Sequence, residues 1–262
     1  MPAAPFAPLG KAEVEILAAG CGTGQHHIEF AHAIAHAQIL AIDLSLASLA
    51  YARRMSDALG LASIDYGQAD ILELPALERS FDVIVAGGVL HHMADPFAAW
   101  RQLLRLLRPG GVMNLGLYSA LARADVVAAR AFIAGNGFAP DAAGIRRARA
   151  AIARMPADAP MRRLTRSADF YSTSECRDLL FHVQEHRLAL PEIHRFLGET
   201  GLRFLGFELG RDVLARYAAR FPQDRTLTDL LSWDAFEREH PRTFVGMYQF
   251  WVQKPPVPST GA

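Results

Sequence analysis

The chain has 262 residues, of which 51% are hydrophobic, enough to bury one sizeable core. Its 27 basic and 27 acidic side chains balance, which argues against a protein that grips nucleic acid along a whole face. Two cysteines are too few for a disulfide framework. The amino terminus does not have the pattern of a signal peptide, and no apolar run is long enough to span a bilayer. The composition predicts a cytoplasmic α/β protein with no membrane partner.

The first half of the chain alternates short apolar runs with amphipathic segments, which is typical of a parallel sheet wound with helices. The predicted elements are strands at 14–17 and 39–42, a helix from the N-cap Ser45 through Leu59, strands at 63–66 and 81–86, a helix that starts at Asp95-Pro96 and is ended by Pro109-Gly110-Gly111, and a strand at 112–118.

The alternation stops after the fifth strand. Residues 120–187 are rich in alanine and arginine and predict a helical lid, which includes a helix from the capping box at 172–175 to about Arg187. A helix near 191–200 and strands at 202–209 and 244–252 return to the sheet pattern, with a helical insertion at 211–241 and a disordered tail at 255–262. The prediction is a doubly wound, mostly parallel seven-stranded sheet, divided into a core over 11–119, the lid over 120–187 and the remaining core over 188–254.

A glycine-rich turn, Gly20-Cys21-Gly22-Thr23-Gly24, follows the first strand and leads into a predicted helix. Glycines in such a turn bring bare backbone N–H groups and a helix N-terminus close to a ligand. A dinucleotide fingerprint needs its third glycine one place later, where Gln25 lies, so a nicotinamide-dependent oxidoreductase is disfavoured. The spacing favours S-adenosylmethionine instead.

Further segments follow the turn in a fixed order: Ala41-Ile42-Asp43, Ala69-Asp70, Phe81-Asp82-Val83-Ile84, Val89-Leu90-His91-His92 and Leu107-Arg108-Pro109-Gly110-Gly111. Over roughly its first half, the chain therefore resembles a class I S-adenosylmethionine-dependent methyltransferase. Residues 116–119 and 170–186 also resemble methyltransferase modules of some bacterial tetratricopeptide-repeat proteins. The sequence contains no such repeat, so a tetratricopeptide-repeat partner or an N-terminal segment supplied elsewhere is a further expectation.

The resemblance implies S-adenosylmethionine as cofactor, S-adenosylhomocysteine as product, and a set of binding positions. Asp43 would accept hydrogen bonds from the ribose hydroxyls, and Asp70 would contact the adenine amino group. The other implied positions lie in the glycine turn, beside the adenine ring and at the end of the fourth strand: Gly20, Cys21, Gly22, Gly24, Leu44, Ala69, Ile71 and Gly87.

One position departs from the family pattern. Ala18 stands where the family usually has an acidic residue that helps to hold the methionyl amino group. This departure keeps an alternative open, in which the chain is a non-catalytic module that binds the cofactor and recognises a protein partner.

Candidate catalytic residues lie at the carboxyl edge of the predicted sheet, where open α/β sheets bind ligands. Methyl transfer needs a base only when the acceptor arrives protonated. We therefore predict His91 or His92 as a base or an acceptor-orienting group, with a structural role in a turn as the alternative. Tyr118, at the end of strand five, is predicted to hydrogen-bond the acceptor, which is a small molecule or a protein or peptide side chain.

The predicted lid supplies the candidate acceptor-binding residues Tyr171, His182 and His186. The segment 182–186 also matches the inverted zinc-protease pattern, with both histidines on one face of the predicted helix. We predict no metal, because a third ligand-bearing element is missing from the pattern; a buried polar helix is the plain alternative. DNA is disfavoured as acceptor because Gly87-Gly88-Val89-Leu90 replaces the Asn/Asp-Pro-Pro-aromatic element that grips a flipped base.

Overall fold

The computed structural model describes residues 13–34, 36–182 and 184–257. The strands are β1 (Val14–Ala19), β2 (Ala37–Asp43), β3 (Ile64–Gln68), β4 (Phe81–Gly87), β5 (Leu107–Tyr118), β6 (Arg203–Phe207) and β7 (Met247–Gln253). The helices are α1 (Gln25–Ala33), α2 (Leu46–Ala58), α3 (Pro96–Leu106), α4 (Ala124–Gly135), α5 (Ala142–Ala153), α6 (Thr173–Phe181), α7 (Leu190–Thr200), α8 (Arg211–Arg220) and α9 (Leu230–Glu239). Residues 11–12 of the predicted core and 258–262 of the predicted tail lie outside the described ranges.

The strands form one seven-stranded sheet in the order β3-β2-β1-β4-β5-β7-β6, in which β7 runs opposite to the other six strands. The predicted mostly parallel, doubly wound sheet is therefore confirmed. Successive side chains of a strand point to opposite faces, and β1 shows the consequence: Leu17 packs into the cluster on one face of the sheet, whereas Ile16 and Ala18 pack into the cluster on the other. Burial on both faces explains why the central strands are continuous apolar runs.

Local signals fix several helix ends as predicted. The Ser45 hydroxyl accepts from the Ser48 N–H at 3.2 Å and caps α2. The Asp95 carboxylate accepts from the N–H groups of Phe97 and Ala98 at 2.9 and 3.0 Å and caps α3. Within the described ranges, every helix is too short or too polar to cross a bilayer.

The prediction that Pro109-Gly110-Gly111 ends the third helix was wrong. α3 ends earlier, at Leu106, and these residues lie inside β5. The reason is pairing with the chain beyond β7: the Gly110 N–H donates to the Lys254 carbonyl at 2.9 Å, and the Lys254 N–H donates to the Gly111 carbonyl at 2.9 Å. Two hydrogen bonds from a distant part of the chain thus prolong a strand through residues that locally favour a turn.

The predicted end of the helix that follows Ser172 was also wrong. α6 ends at Phe181 rather than near Arg187, so His182 and His186 do not share a helical face. Instead, the His186 N–H donates to the His91 carbonyl at 2.7 Å, and the Leu188 N–H donates to the Tyr118 carbonyl at 2.8 Å. These bonds hold the segment after α6 in a non-helical path along the carboxyl ends of β4 and β5.

The helices between β5 and α7 enclose an apolar cluster of their own, which includes Val126, Ile145, Phe170 and Leu180. A buried ion group lies between this helical segment and the sheet edge. The Glu185 side chain is 1% exposed and accepts from the guanidinium groups of Arg123 and Arg130, the latter at 2.8 Å. Since the residues next to Glu185 bond to the sheet edge, this ion group fixes the helical segment relative to the sheet.

We expect Glu185→Gln to lower the free energy of unfolding by about 3 kcal/mol, because it leaves two largely buried guanidinium groups without a carboxylate. The matched control is Glu199→Gln, which removes a half-exposed partner of Arg101 and should cost no more than about 1 kcal/mol. Urea denaturation followed by circular dichroism measures both. Equal losses in the two variants would contradict the assigned role of Glu185.

Candidate functional site

The glycine turn between β1 and α1 has a left-handed backbone, with φ of +68° at Gly20, +53° at Gly22 and +107° at Gly24. Gly20 also approaches the segment after β4 closely, because a Cβ at this position would lie 2.5 Å from Cγ2 of Val89. A Cβ at Gly22 would meet no atom of the described chain within 4 Å. The turn is therefore closed on the Gly20 side and open to a ligand at Gly22.

Asp43 lies at the end of β2, beside this turn. One carboxylate oxygen accepts from the Gly22 N–H and the other from the Ser45 N–H, both at 2.8 Å. Each oxygen keeps further lone-pair capacity, so the fixed carboxylate suits a pair of neighbouring hydroxyl groups. Leu44 is 63% exposed next to it and offers an apolar surface.

The residues after β3 lie at the same edge. The Ala69 N–H donates to the Asp43 carbonyl at 3.4 Å, which brings the ends of β2 and β3 together. Asp70 accepts from the Leu72 N–H at 2.9 Å, and Ile71 packs into the main core. The assigned contact of Asp70 with an adenine amino group stays a prediction.

The end of β4 lies at the same edge of the sheet. A Cβ at Gly87 would lie 3.1 Å from Cε1 and 3.2 Å from Nδ1 of His26, so the His26 ring covers this glycine.

Cys21 in the glycine turn is not a nucleophile. Burial, followed by the negative charge of Asp43, raises the pKa of its thiol to about 12. It therefore stays protonated at neutral pH.

His91 and Tyr118 form a stack at the ends of β4 and β5. Their ring centroids are 3.6 Å apart, and Cζ of Arg123 lies 3.6 Å from the centroid of the same tyrosine ring. Two groups this close to one ring must lie on opposite faces, so the Tyr118 ring is held between them. Burial, followed by the charges of His92 and Arg123, lowers the pKa of His91 to about 2. His91 is fully buried and stays neutral, which suits packing better than proton transfer.

His92 has a defined tautomer. Its Nδ1 lies 3.0 Å from the Gln184 carbonyl oxygen, which can only accept, so Nδ1 carries the hydrogen and Nε2 keeps its lone pair. Burial lowers the pKa of His92 below its ordinary value of 6.5. A neutral imidazole with a free Nε2 lone pair at pH 7 is suited to accept a proton. Of the two predicted candidate bases, the geometry favours His92.

His182 belongs to the same group, with its ring centroid 4.2 Å from that of His92. The ligand-type atoms of His92, Asp178 and His182 all lie within 4.8 Å of one another. However, the Gln184 N–H donates to His182 Nδ1 at 3.2 Å, so in the neutral ring Nε2 carries the hydrogen, and it lies 4.0 Å from Asp178 Oδ1. A metal ligand needs a lone pair at that atom, so the arrangement favours proton handling over metal binding.

A cavity of about 400 Å³ opens beside Tyr118. Three carboxylates contribute to its wall, those of Asp169, Glu175 and Asp178, together with Arg123, whose charge is paired with buried Glu185. The other lining residues are Ser174, Leu179, Val245, Gly246 and Met247. The open wall of the cavity is thus mainly acidic.

The structure separates the predicted acceptor-binding residues. His182 contacts His92 next to the cavity, whereas His186 joins the edge through its backbone. Tyr171 is 60% exposed, donates its hydroxyl to the Thr165 carbonyl at 2.8 Å and does not line this cavity. Its assigned role stays a prediction without a supporting contact.

Several residues of the site were not found from the sequence. Asp178 reaches it from within α6, Gln184 and Glu185 reach it because α6 ends early, and Arg123 reaches it because it packs on Tyr118. One signal was available: Asp178 precedes His182 by four residues, the spacing at which side chains of a helix are neighbours.

Comparison with known proteins places these features in a family. Residues 17–115 match the model described as a methyltransferase domain. This part of the chain is an S-adenosylmethionine-dependent methyltransferase domain. An uncharacterised Synechococcus protein is 33% identical over 199 residues, which cover 73% of this chain and 48% of that protein. The 27-O-demethylrifamycin SV methyltransferase of Amycolatopsis mediterranei is 37% identical over 105 residues, which cover 38% of this chain and 37% of that enzyme.

The solved structures agree with this domain at the level of the fold. PKMT2 from Rickettsia typhi superposes with a TM-score of 0.72 at 15% identity, over 94% of this chain and 49% of that one. A second structure of PKMT2 is a complex with AdoHcy, which is S-adenosylhomocysteine. The predicted class of domain and its cofactor are confirmed, and the open glycine turn and fixed Asp43 carboxylate fit that cofactor. The chain spans about half or less of the length of these relatives, and the resemblance to tetratricopeptide-repeat proteins stays a prediction.

The two sides of the glycine turn predict different effects of one added methyl group. We expect Gly20→Ala to cost about 3 kcal/mol of stability, since overpacking against Val89 adds to left-handed strain. Gly22→Ala should cost only about 1 kcal/mol of stability, because space is open there, but should weaken S-adenosylhomocysteine binding. Thermal unfolding with and without S-adenosylhomocysteine measures both effects. A stable, tightly binding Gly20→Ala variant would refute the close approach.

Proposed function

We propose that this protein transfers the methyl group of S-adenosylmethionine to an amine that enters the cavity beside Tyr118. The observation that carries this proposal is the pairing of a mainly acidic cavity with a neutral histidine whose Nε2 lone pair is free. Carboxylates attract an ammonium group, and an ammonium group must lose a proton before its nitrogen can attack.

The cofactor-binding residues act by position. The glycine turn lets the cofactor approach the backbone at Gly22, and the carboxylate of Asp43, held by the Gly22 N–H, accepts from the ribose hydroxyls. When bound, S-adenosylmethionine supplies a methyl group on a positively charged sulfur, and the bond to sulfur breaks as the acceptor nitrogen bonds the methyl carbon. The chain's contribution is to align the acceptor and exclude water.

On the acceptor side, the chain supplies a negative charge and a group that accepts a proton. Asp178 lines the cavity and stabilises the incoming ammonium group, and His92 Nε2 accepts its proton. Tyr118, fixed between His91 and Arg123, offers a hydroxyl to orient the acceptor. The helical segment over 120–187 supplies the acidic wall and so serves as the acceptor-binding lid.

A second candidate function is a module that binds the cofactor without turnover. The observation that favours it is Ala18, which is 3% exposed and has no polar side-chain atom for the methionyl group. The presence or absence of turnover with labelled cofactor separates the two functions.

We expect calorimetry to show micromolar binding of S-adenosylmethionine and S-adenosylhomocysteine, and Asp43→Ala to weaken both by about 100-fold, since two charge-assisted hydrogen bonds are lost. Asp57→Ala, an exposed acidic residue near the end of α2, is the matched control and should bind normally. Unchanged affinity in Asp43→Ala would place the ribose elsewhere.

Turnover with labelled cofactor and pairs of acceptors that differ only in an amine or a hydroxyl group tests the reaction. We expect amines to be preferred, and His92→Gln to lower kcat about 100-fold while S-adenosylhomocysteine still binds. Because His92 must be neutral and its pKa is lowered, activity should fall only below about pH 6.5, and this acidic limb should vanish in His92→Gln. A hydroxyl preference would overturn the amine proposal but not methyl transfer.

A further inference from the structure

We propose that His26 holds the methionyl carboxylate of the cofactor and thereby compensates for the missing acidic group at Ala18. This inference rests on the proposed function, because it concerns the same cofactor. His26 lies outside every motif that the sequence analysis used, in the first turn of α1.

His26 lies near the carboxyl ends of β1 and β4. β1 and β4 are parallel neighbours with Ala18 opposite Val85, so Gly20 and Gly87 leave the two strands at the same level. The strand order reverses direction between these two strands, and open α/β sheets bind ligands in the crevice outside such a point. The His26 ring lies over Gly87, which places it at the mouth of this crevice.

Gly87 leaves space for the ring of His26. A Cβ there would approach two ring atoms of His26 to 3.1 and 3.2 Å, tighter than ordinary contacts. The missing side chain therefore lets the imidazole approach the end of β4. Gly87 is one of the cofactor-binding positions implied by the family resemblance, at the end of the fourth strand, and we infer that the methionyl chain passes this same place.

The first turn of α1 suits a negatively charged ligand. The first turn of α1 contains no acidic residue, and Gly24 provides no side-chain cap, so the backbone N–H groups favour an anion. The neighbouring His27 is buried and bonds the Tyr66 hydroxyl at 2.8 Å, and burial followed by the charge of His26 lowers its pKa to about 4. Exposed His26 is thus the histidine of this turn that reaches the ligand, and its ring N–H donates to the carboxylate.

The test compares three ligands by calorimetry: S-adenosylhomocysteine, its analogue that lacks only the carboxylate, and 5′-methylthioadenosine, which has a methyl group in place of the whole amino-acid chain. We expect His26→Ala to weaken S-adenosylhomocysteine about tenfold and to leave the other two within about twofold. His26→Gln, which keeps an N–H donor, should recover part of the loss. His32→Ala, at the exposed end of the same helix, is the matched control.

Each outcome is decisive. Loss confined to the ligand with a carboxylate supports the assignment to His26. An equal loss for all three ligands, or no loss for any, overturns it, since the first indicates a general distortion of the turn and the second an unused side chain. If the unmodified protein bound none of the three ligands, the proposed function itself would fail.

Discussion

The site depends on one constraint, the parallel pairing of β1 with β2 on one side and β4 on the other. Parallel strands end at a common edge, so residues far apart in the chain meet there without needing to contact one another elsewhere. The glycine turn, Asp43 and Gly87 come from three strands and surround one crevice. The backbone bonds of β1 therefore do more to build the cofactor site than any single side chain.

The acceptor side depends on a second constraint, which is electrostatic. Buried Glu185 joins two arginines, and its neighbours Gln184 and His186 bond the residues that follow β4. Pairing makes the burial of these charges tolerable, whereas loss of the carboxylate would leave cations unsatisfied. The same segment sets the tautomer of His92, so the position of the helical segment over 120–187 and the free lone pair of His92 Nε2 are linked.

The insertion over 120–187 is rich in arginine, but the folded chain does not present these charges evenly. In the folded chain Arg123 and Arg130 share Glu185, and the surface open to an acceptor shows Asp169, Glu175 and Asp178 instead. Composition counts charges, but only packing decides which of them face a ligand.

The sequence by itself determined the sheet, the glycine turn and the place of Asp43 at the end of the second strand, because apolar runs, left-handed glycines and helix caps are local signals. It also narrowed the proposed base to two adjacent histidines. Only the tertiary structure favours one of them, since the stacking of His91 on Tyr118 and the contact of His92 with Gln184 join residues that are distant in the chain. The end of α6, the strand through Gly110 and the ring of His26 over Gly87 were likewise decided by long-range contacts that no local pattern contains.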